Sequence, residues 1–466
     1  MIVACSLFME QLDSTIIATA LPTIAHDLNE DPLRLNLAIT CYLLSLSIFI
    51  PLSGWMADRF GARTVFRAAI GVFMIGSIFC GLSNSLEEFV VARMIQGMGG
   101  AMMSPVGRFV MLRSVPKSDL LRAMIIVTTP AMLGPVFGPP LGGFIVTYFS
   151  WRWIFFINVP IAFLGIVLVT LFVENLREDN VRPIDWPGFA LTGIGLSCLV
   201  FGFEVVGRGG LPIPVVATMI VIGILCVSVY VWHARRTAFP VIDLSLLNIQ
   251  TFRIGVTGGT LTRMGIGALP FLLPLLMQLG FGYSPLVSGL VTFASAAGAL
   301  LMRITATQII RRFGYRNTLL FNAFLTSILL GINALWRPDT PLVLIFAVLL
   351  FGGFFRSLQF SAINTLGYSD VPATLMSRAT PFASMAQQFS MSLGIGTGAL
   401  LLHTTLLVRG HTALGPTDFV PAFIAVGVIS ICAVPIFAKL SPLAGQGMIG
   451  GRRRAEEAAD KSSPGA

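Results

Sequence analysis

The sequence contains little charge. Only 11% of its 466 residues are Asp, Glu, Lys or Arg, while 55% are hydrophobic. Soluble domains carry about 25% charged residues, because polar groups must cover their surface. This shortage excludes a soluble globular protein of this length and predicts a chain embedded in lipid.

Alternation of apolar and polar residues is also lacking. The apolar runs are continuous and about 20 residues long, which is the length of a membrane-spanning helix. Spans must be helices or closed barrels, since every backbone amide in lipid needs an internal partner. Barrel strands would be shorter and would alternate. The pattern therefore predicts an all-α polytopic membrane protein.

Sequence patterns of enzymes and ATP-driven pumps are missing. The three lysines follow Pro116, Ala438 and Asp460, so there is no Gly-Lys phosphate-binding loop. The four histidines show no HExxH spacing, and no Gly-x-Ser-x-Gly sequence occurs. A channel would more naturally repeat a pore motif. We therefore expect no enzymatic activity, no metal site and no cofactor.

The cysteines and the net charge offer no further class of function. All six cysteines lie in apolar runs without CxxC spacing, which indicates packing residues rather than disulfides. The net charge of +9 comes from scattered basic residues, so a nucleic-acid partner is not expected. The first apolar run continues past Asp13 to Pro22 without an A-x-A site, so we expect no cleavable signal peptide.

A short basic turn, Arg-Phe-Gly-x-Arg, occurs at 59–63 and again at 312–316. Each copy lies between two apolar runs, which indicates duplication. The copies are eight predicted helices apart instead of six. The simplest account is two six-helix halves, each built from inverted repeats, with an inserted helix pair between them.

The apolar runs predict fourteen membrane helices. Placing both termini in the cytoplasm gives the internal loops and tail 21 Lys/Arg and the external loops five, as the positive-inside rule requires. The predicted helices cover roughly 3–24, 37–56, 66–83, 88–112, 122–146, 151–173, 186–205, 213–232, 253–278, 285–309, 318–336, 341–366, 378–403 and 418–438.

The predicted domains follow from the duplication and the inserted pair. They are an N-terminal six-helix bundle over 1–184, an inserted two-helix linker over 185–252, a C-terminal six-helix bundle over 253–440, and a basic cytoplasmic tail over 441–466. The basic, Ser/Gly/Ala/Pro-rich composition of the tail is typical of disordered, lipid-facing termini.

Five motifs follow one another along the first six predicted helices. They are Leu12-Asp13-Ser14-Thr15, Gly54-x-x-Ala57-Asp58-Arg59-x-Gly61-x-Arg63, Arg93-x-x-Gln96-Gly97, Gly134-x-x-x-Gly138-Pro139-x-x-Gly142-Gly143, and Trp151-Arg152-Trp153 with Asn158-Val159-Pro160. Their order resembles the major facilitator superfamily, specifically its fourteen-helix drug/proton antiporter branch. The resemblance extends over essentially the whole chain.

The resemblance implies that the first turn acts as a conformational latch on the cytoplasmic side. The residues concerned are Gly54, Asp58, Arg59, Gly61 and Arg63. Gly61 permits a tight reversal, and Asp58 can pair with an arginine or a helix end. The alternative is a topology anchor alone. In the second copy Arg311 replaces the acid, so anchoring is expected there.

The predicted fifth helix is rich in glycine and proline. Glycines four residues apart let another backbone approach, and prolines bend the helix. This pattern favours a gate between the halves, with ordinary helix packing as the alternative. The gate residues are Gly134, Pro135, Gly138, Pro139, Gly142 and Gly143.

Ionisable residues within spans are costly and usually mark a pathway. Glu10 and Asp13 lie on one face of the first helix, and Arg93 lies at a similar depth on the fourth. A carboxyl group that is desolvated in one state and paired with arginine in another can load and release protons. We hypothesise that Asp13, modulated by Arg93, couples proton entry to export. Glu10 is a second proton site, a contact for cationic substrates, or a hydrated residue.

Four further polar residues are candidates for the central cavity. These are Gln96, Arg263, Arg356 and Gln359. The two arginines would balance buried acids or meet anionic groups of a substrate.

The predicted function is secondary active transport across the bacterial inner membrane. The resemblance implies proton-driven export of drugs or other amphiphilic small molecules by alternating access. The alternative is a proton-coupled symporter or importer of a small organic solute. The expected partners are a small-molecule substrate and the lipid bilayer, with the proton gradient as the energy source. Some relatives work with a periplasmic adaptor and an outer-membrane channel, and no feature of this sequence establishes those partners.

Overall fold

The computed structural model describes residues 2–114, 120–175, 183–206, 212–372, 375–410, 413–442 and 444. Over these ranges the chain is helical and contains no strand. The all-α prediction is therefore confirmed. The predicted tail, 441–466, lies almost entirely outside the described residues.

The first part of the chain forms eight helices. They are α1 (Ile2–Asp27), α2 (Asn36–Phe49), α3 (Leu52–Phe60), α4 (Ala62–Leu82), α5 (Leu86–Ser114), α6 (Leu120–Tyr148), α7 (Trp153–Phe156) and α8 (Asn158–Phe172). Two more helices follow, α9 (Trp186–Val206) and α10 (Ile213–Ala234).

The last part contains six helices with short irregular turns between some of them. They are α11 (Gln250–Leu275), α12 (Pro285–Ile332), α13 (Leu342–Gly367), α14 (Met376–Arg409), α15 (Val420–Ile431) and α16 (Val434–Ala438). Within the described ranges, 3-10 segments cover Leu244–Asn248, Asn333–Leu335 and Pro416–Phe419, and a π turn covers Leu276–Gly280.

Each of the fourteen predicted segments overlaps one of these helices. Among the described residues, nine helical segments are long and apolar enough to cross a membrane, or ten if the bent pair α2–α3 is one span. The multi-pass architecture is therefore confirmed, while the count of fourteen spans stays a prediction.

Two segments differ in detail from the predicted helices. The predicted helix 37–56 bends by 56° between α2 and α3, where Pro51 lacks an amide hydrogen. The helices on either side of the second basic turn run together as α12, with a kink at Gly314, whose φ is 74°. Only glycine adopts this left-handed conformation easily.

The helices pack in two groups with a pair beside them. In the first group α1 packs on α6, and α5 on α2 and α4; in the second, α12 packs on α13 and α11 on α14. Helices α9 and α10 pack on each other. The groups meet where α6 contacts α12 and α2 contacts α14, and α9 lies against α2 and α14. The predicted domain boundaries stay predictions.

Polar contacts hold the ends of the inserted pair. His233 on α10 lies 2.7 Å from Asp185, just before α9. In the next connection, Asp243 pairs with Arg378 at the start of α14 at 2.9 Å. Burial opposes ionisation of Asp243, but hydrogen bonds from Ser245 and Arg378 outweigh it and lower the pKa of its carboxyl group. The connection is thereby tied to the second group of helices.

Large apolar side chains cover much of the outer surface. Exposed examples occur on α4, α8, α10 and α14, among them Phe79, Leu171, Val221 and Leu407. Apolar surface of this extent would be a liability in water, whereas lipid tails solvate it. The exposed faces therefore fit the bilayer that the composition predicts.

Candidate functional site

A buried ion pair lies at the centre of the first helical group. Nη1 of Arg93, on α5, donates to Oδ2 of Asp13, on α1, at 2.6 Å. Both side chains are completely buried. The structure therefore brings together the two residues that the sequence selected for proton coupling.

Two amides complete the environment of the Asp13 carboxylate. Gln96 donates to its Oδ1 at 2.8 Å, and Asn158 of α8 donates to the same atom at 3.0 Å. Gln96 also donates to Ser77 of α4 at 2.7 Å and accepts from Arg93 at 2.5 Å. The carboxylate is thus held by three donors, and the network joins α1, α4, α5 and α8.

An aromatic ring completes the surroundings of the Arg93 guanidinium. Its Cζ lies 4.3 Å from the centre of the buried Tyr42 ring of α2, within the range of a cation–π interaction. Nε and Nη2 of Arg93 have no hydrogen-bond partner in the part of the chain that the structure describes. Asp13 is the carboxylate that compensates this charge, and a buried charge that loses its partner is strongly destabilising.

Glycines allow these helices to approach closely. A Cβ atom built on Gly97 would lie 2.6 Å from the carbonyl oxygen of Tyr42, and one on Gly76 would lie 2.6 Å from Cα of Gln96. Real Cβ atoms do not come so near to backbone atoms. The absence of a side chain at these two positions therefore sets the distance between α2, α4 and α5 around the ion pair.

Sequence reasoning missed three members of this network: Ser77, Tyr42 and Asn158. Asn158 belongs to the motif at the start of the sixth predicted helix, but no role was assigned to it. A buried asparagine beside an apolar run needs a hydrogen-bond partner, and this was the available signal. Ser77 and Tyr42 carry no signal that distinguishes them from packing residues.

Glu10 lies one helical turn before Asp13, on the same face of α1. It is 5% exposed and accepts a hydrogen bond of 2.7 Å from Ser104 of α5. This contact agrees with a buried polar site, and all three interpretations of Glu10 given above stay predictions.

The glycines of the predicted gate face two different neighbours. Gly134, Gly138 and Gly142 pack on α1 within the first group; a Cβ on Gly134 would lie 2.7 Å from the amide nitrogen of Leu12. Gly143 instead faces α12, where a Cβ would lie 2.5 Å from the carbonyl oxygen of Pro285. Pro139 packs on Gly289 of α12. The side chain of Pro135 lies outside the described residues.

Further contacts between the groups lie near the same end of the bundle. Gln278 donates to the carbonyl of Thr19 at 3.0 Å, and Ser392 donates to the carbonyl of Thr40 at 3.5 Å. The positive-inside pattern places these helix regions in the outer half of the membrane. With both termini in the cytoplasm, as predicted, the contacts of Gly143 and Pro139 form part of a closed outer seam, and this placement stays a prediction.

The first basic turn is anchored within its own helical group. Gly61 has a φ of 90°, and a Cβ there would lie 2.6 Å from the side-chain carbon of Asn175. Oδ1 of Asn175 accepts hydrogen bonds from Thr64, including one of 3.3 Å from its amide. Gly54 is exposed, and a Cβ there would meet no atom within 4 Å.

The other residues of the predicted latch are half-buried or exposed, and the second turn, like the first, forms a hydrogen bond within its own helical group. Asp58 and Arg63 are half-buried and Arg59 is exposed. In the second turn, Arg316 donates a hydrogen bond of 3.2 Å to the carbonyl oxygen of Ala438, the last residue of α16. The first turn is therefore tied to the segment that follows α8, and the second to α16, each within its own helical group. The latch role stays a prediction.

Replacing Asp58, the acidic residue of the first turn, with a neutral residue should distinguish a conformational latch from a topology anchor. We expect Asp58→Asn to lower the initial rate of transport by about tenfold if the turn fixes one conformation, since 1.4 kcal/mol in a conformational equilibrium is tenfold. The matched variant Arg311→Gln, at the position corresponding to Asp58 in the second turn, should change it less than about twofold. Equal effects of the two variants would contradict the assignment.

The other predicted cavity residues lie in the second helical group. Arg263 of α11 is 2% exposed and donates to Asn364 of α13 at 2.7 Å. Arg356 of α13 donates to Ser295 of α12. Gln359 accepts from Asn322 at 2.9 Å. The structure buries all three but does not join them into one network.

A helical membrane bundle with a buried ion pair and glycines packed between two groups of helices is typical of membrane transporters. The Major Facilitator Superfamily model matches residues 3–395. The chain belongs to this superfamily, and it is a multi-pass protein of the bacterial inner membrane.

Relatives and solved structures agree with this assignment. A relative from Pectobacterium atrosepticum named multidrug resistance protein MdtD is 38% identical over 447 residues, which are 95% of each chain. An Escherichia coli protein of the same name is 36% identical over 94% of this chain and 92% of its own. The fold is similar to that of a D-xylose–proton symporter, with a TM-score of 0.70 at 16% identity over 96% of this chain and 98% of the other.

Proposed function

We propose that this protein exports amphiphilic small molecules, drugs among them, in exchange for protons. The observation that carries the proposal is the Asp13 carboxylate, which is buried between α1, α5 and α8 and held by Arg93, Gln96 and Asn158. A group in this setting can change its protonation when the helices around it move. The proton gradient is the energy source, and no cofactor takes part.

The names of the relatives support drugs as a class of substrate. The similarity to these relatives extends over almost the full length of this chain and of theirs. The close packing of Gly143 on Pro285 supports alternating access, because the two helical groups meet there through noncovalent contacts that are able to separate. When the two helical groups rock against each other, contacts on one side of the membrane can open while contacts on the opposite side form.

Transport by everted membrane vesicles tests the proposal. The interior of such vesicles is acidified by respiration, and uptake of tetraphenylphosphonium and of 1-naphthoate is followed before and after a protonophore is added. We expect uptake of at least one probe to depend on the gradient. Uptake that persists unchanged after the gradient collapses would exclude antiport.

The alternative, a proton-coupled symporter, predicts the opposite direction. It would give net, gradient-dependent accumulation of the solute by intact cells. The xylose–proton symporter supports only the fold at its level of identity.

We also propose that the protein moves its substrate without covalent chemistry, so that it is a transporter and not an enzyme. Delivery to a periplasmic adaptor and an outer-membrane channel is a further element of the proposal. Co-purification of such proteins after cross-linking of whole cells tests it, and their absence from the cross-linked material would remove this element.

A further inference from the structure

The second helical group contains buried positive charge and no acidic residue in its α-helices. Helices α11, α12, α13 and α14 carry no Asp or Glu. Arg263 and Arg356 are nevertheless buried, at 2% and 9% exposure. The buried acids Glu10 and Asp13 lie in the first group and contact Ser104 and Arg93 there. The buried acids near the second group are already paired: Asp418, before α15, with Arg409 and Asp243 with Arg378. Among the described residues Arg263 and Arg356 take part in no salt bridge, so the interior between α11, α12 and α13 is cationic.

Arg263 is only partly satisfied by its neighbours. Its Nη2 donates to Asn364, its Cζ lies 5.6 Å from the centre of the Phe360 ring, and its Nε has no partner. Among the described residues it takes part in no salt bridge. A buried charge without a counter-charge costs several kcal/mol, which is unusual for a residue with a purely structural role.

A crevice leads to this guanidinium. Its lining includes Phe252, Val256 and Arg263 of α11, Ile363 and Asn364 of α13, and Tyr368 directly after α13. The lining combines one cation and one amide with aromatic and aliphatic side chains, as ligand sites commonly do. Phe252 and Tyr368 lie at the ends of α11 and α13 that the charge pattern places at the cytoplasm, where an exporter takes up its substrate.

Glycines make room for the guanidinium and shape the crevice. A Cβ on Gly259, one turn before Arg263, would lie 2.9 Å from Nη1 of the arginine. A Cβ on Gly255 would lie 3.0 Å from Cα of Gly367, so α11 and α13 approach closely beside the crevice. The space around Arg263 thus depends on the lack of a side chain at Gly259.

We propose that this crevice binds the anionic group of an amphiphilic substrate, a carboxylate in the first instance, with Arg263 and Asn364 as the polar contacts. The aromatic and aliphatic lining takes the apolar body. Arginine is suited to this role because its planar fork matches a carboxylate. The proposal rests on the proposed function and names a class of substrate for it.

An anionic lipid headgroup offers the same chemistry as a soluble carboxylate. Basic pockets between membrane helices on the cytoplasmic side are able to bind such headgroups. The test therefore varies the lipid and the solute separately.

The experiment uses the full chain reconstituted in vesicles of phosphatidylcholine, with and without phosphatidylglycerol. Gradient-driven transport of 1-naphthoate and of tetraphenylphosphonium is measured. We expect Arg263→Gln to lower the ratio of naphthoate to tetraphenylphosphonium transport by at least about tenfold in both lipids, since one charge-assisted contact is lost. Arg263→Lys should recover part of the ratio, because it keeps the charge but not the fork.

The matched control is Arg253→Gln, which removes one positive charge from the exposed start of the same helix. It should leave the ratio unchanged. The proposal is overturned if wild-type protein does not carry naphthoate, if Arg263→Gln leaves the ratio unchanged, or if its effect appears only with phosphatidylglycerol, which would indicate a lipid site. If the protein still transports tetraphenylphosphonium under the gradient in any of these cases, the proposed function stands and only the proposed binding site is lost.

Discussion

Replacing Asp13 with Asn is expected to abolish proton-driven export and to destabilise the protein. Asparagine offers one oxygen and one NH2 group where the carboxylate accepts hydrogen bonds from Arg93, Gln96 and Asn158. The amide cannot bind a proton under physiological conditions, and it leaves the buried guanidinium without a counter-charge. Removing one partner of a buried pair costs about 3–5 kcal/mol.

A double variant separates the loss of coupling from the loss of stability. In Asp13→Asn/Arg93→Gln both charges are absent, so the cost of an unpaired buried charge disappears. We expect this variant to recover folded protein in detergent, measured by size-exclusion chromatography and thermal unfolding, without recovering gradient-driven transport in proteoliposomes. If the double variant is well folded and still exports the probe against the concentration gradient of the probe, Asp13 is ruled out as the coupling residue.

A conservative control addresses geometry. Asp13→Glu keeps a carboxyl group but moves it by one methylene in a fully buried site, where overpacking typically costs about 1–3 kcal/mol. Gradient-dependent transport should survive at a reduced rate in this variant. The contrast between Glu and Asn at position 13 then measures the need for a titratable group rather than for a particular shape.

The sequence was sufficient for the fold class and for choosing Asp13 and Arg93 as candidate site residues, whose role stays a prediction. Low charge and long apolar runs predicted the helices, because lipid permits few other structures. Asp13 and Arg93 were recognisable because charged residues within spans are rare. Their direct contact required the tertiary structure, since the two residues are 80 positions apart.

Other features could not be obtained from the sequence for physical reasons. Ser77 and Tyr42 differ in no way from packing residues until α4 and α2 are placed beside Arg93. The glycines of α6 share one pattern, yet Gly134 faces α1 while Gly143 faces α12. Spacing indicates which residues share a helix face, but the neighbour of that face is decided by how the helices pack.

The second large effect is expected at this seam, for Gly143→Ala. A Cβ at this position would lie 2.5 Å from the carbonyl oxygen of Pro285 and 3.0 Å from Cα of Leu286. Because these are backbone atoms of α12, no side-chain rotation can relieve the clash, and the helices must separate. Overpacking of about 1–3 kcal/mol corresponds to a shift of roughly fivefold to hundredfold away from the outer-closed state.

Chemical labelling from outside the cell measures this shift. Gln278 hydrogen-bonds to Thr19 in the same seam. A cysteine introduced by Gln278→Cys therefore reports opening of the seam, provided that the six native cysteines are replaced by serine. Gly143→Ala should raise the rate of reaction with a membrane-impermeant maleimide and lower transport. The matched control is Gly396→Ala, at a buried glycine where a Cβ meets no atom within 4 Å. If both variants react with the maleimide at the wild-type rate, the contact between α6 and α12 does not close the outer side. The Gly143→Ala clash must separate these two helices, and in that case their separation would not have changed the access of the maleimide to position 278.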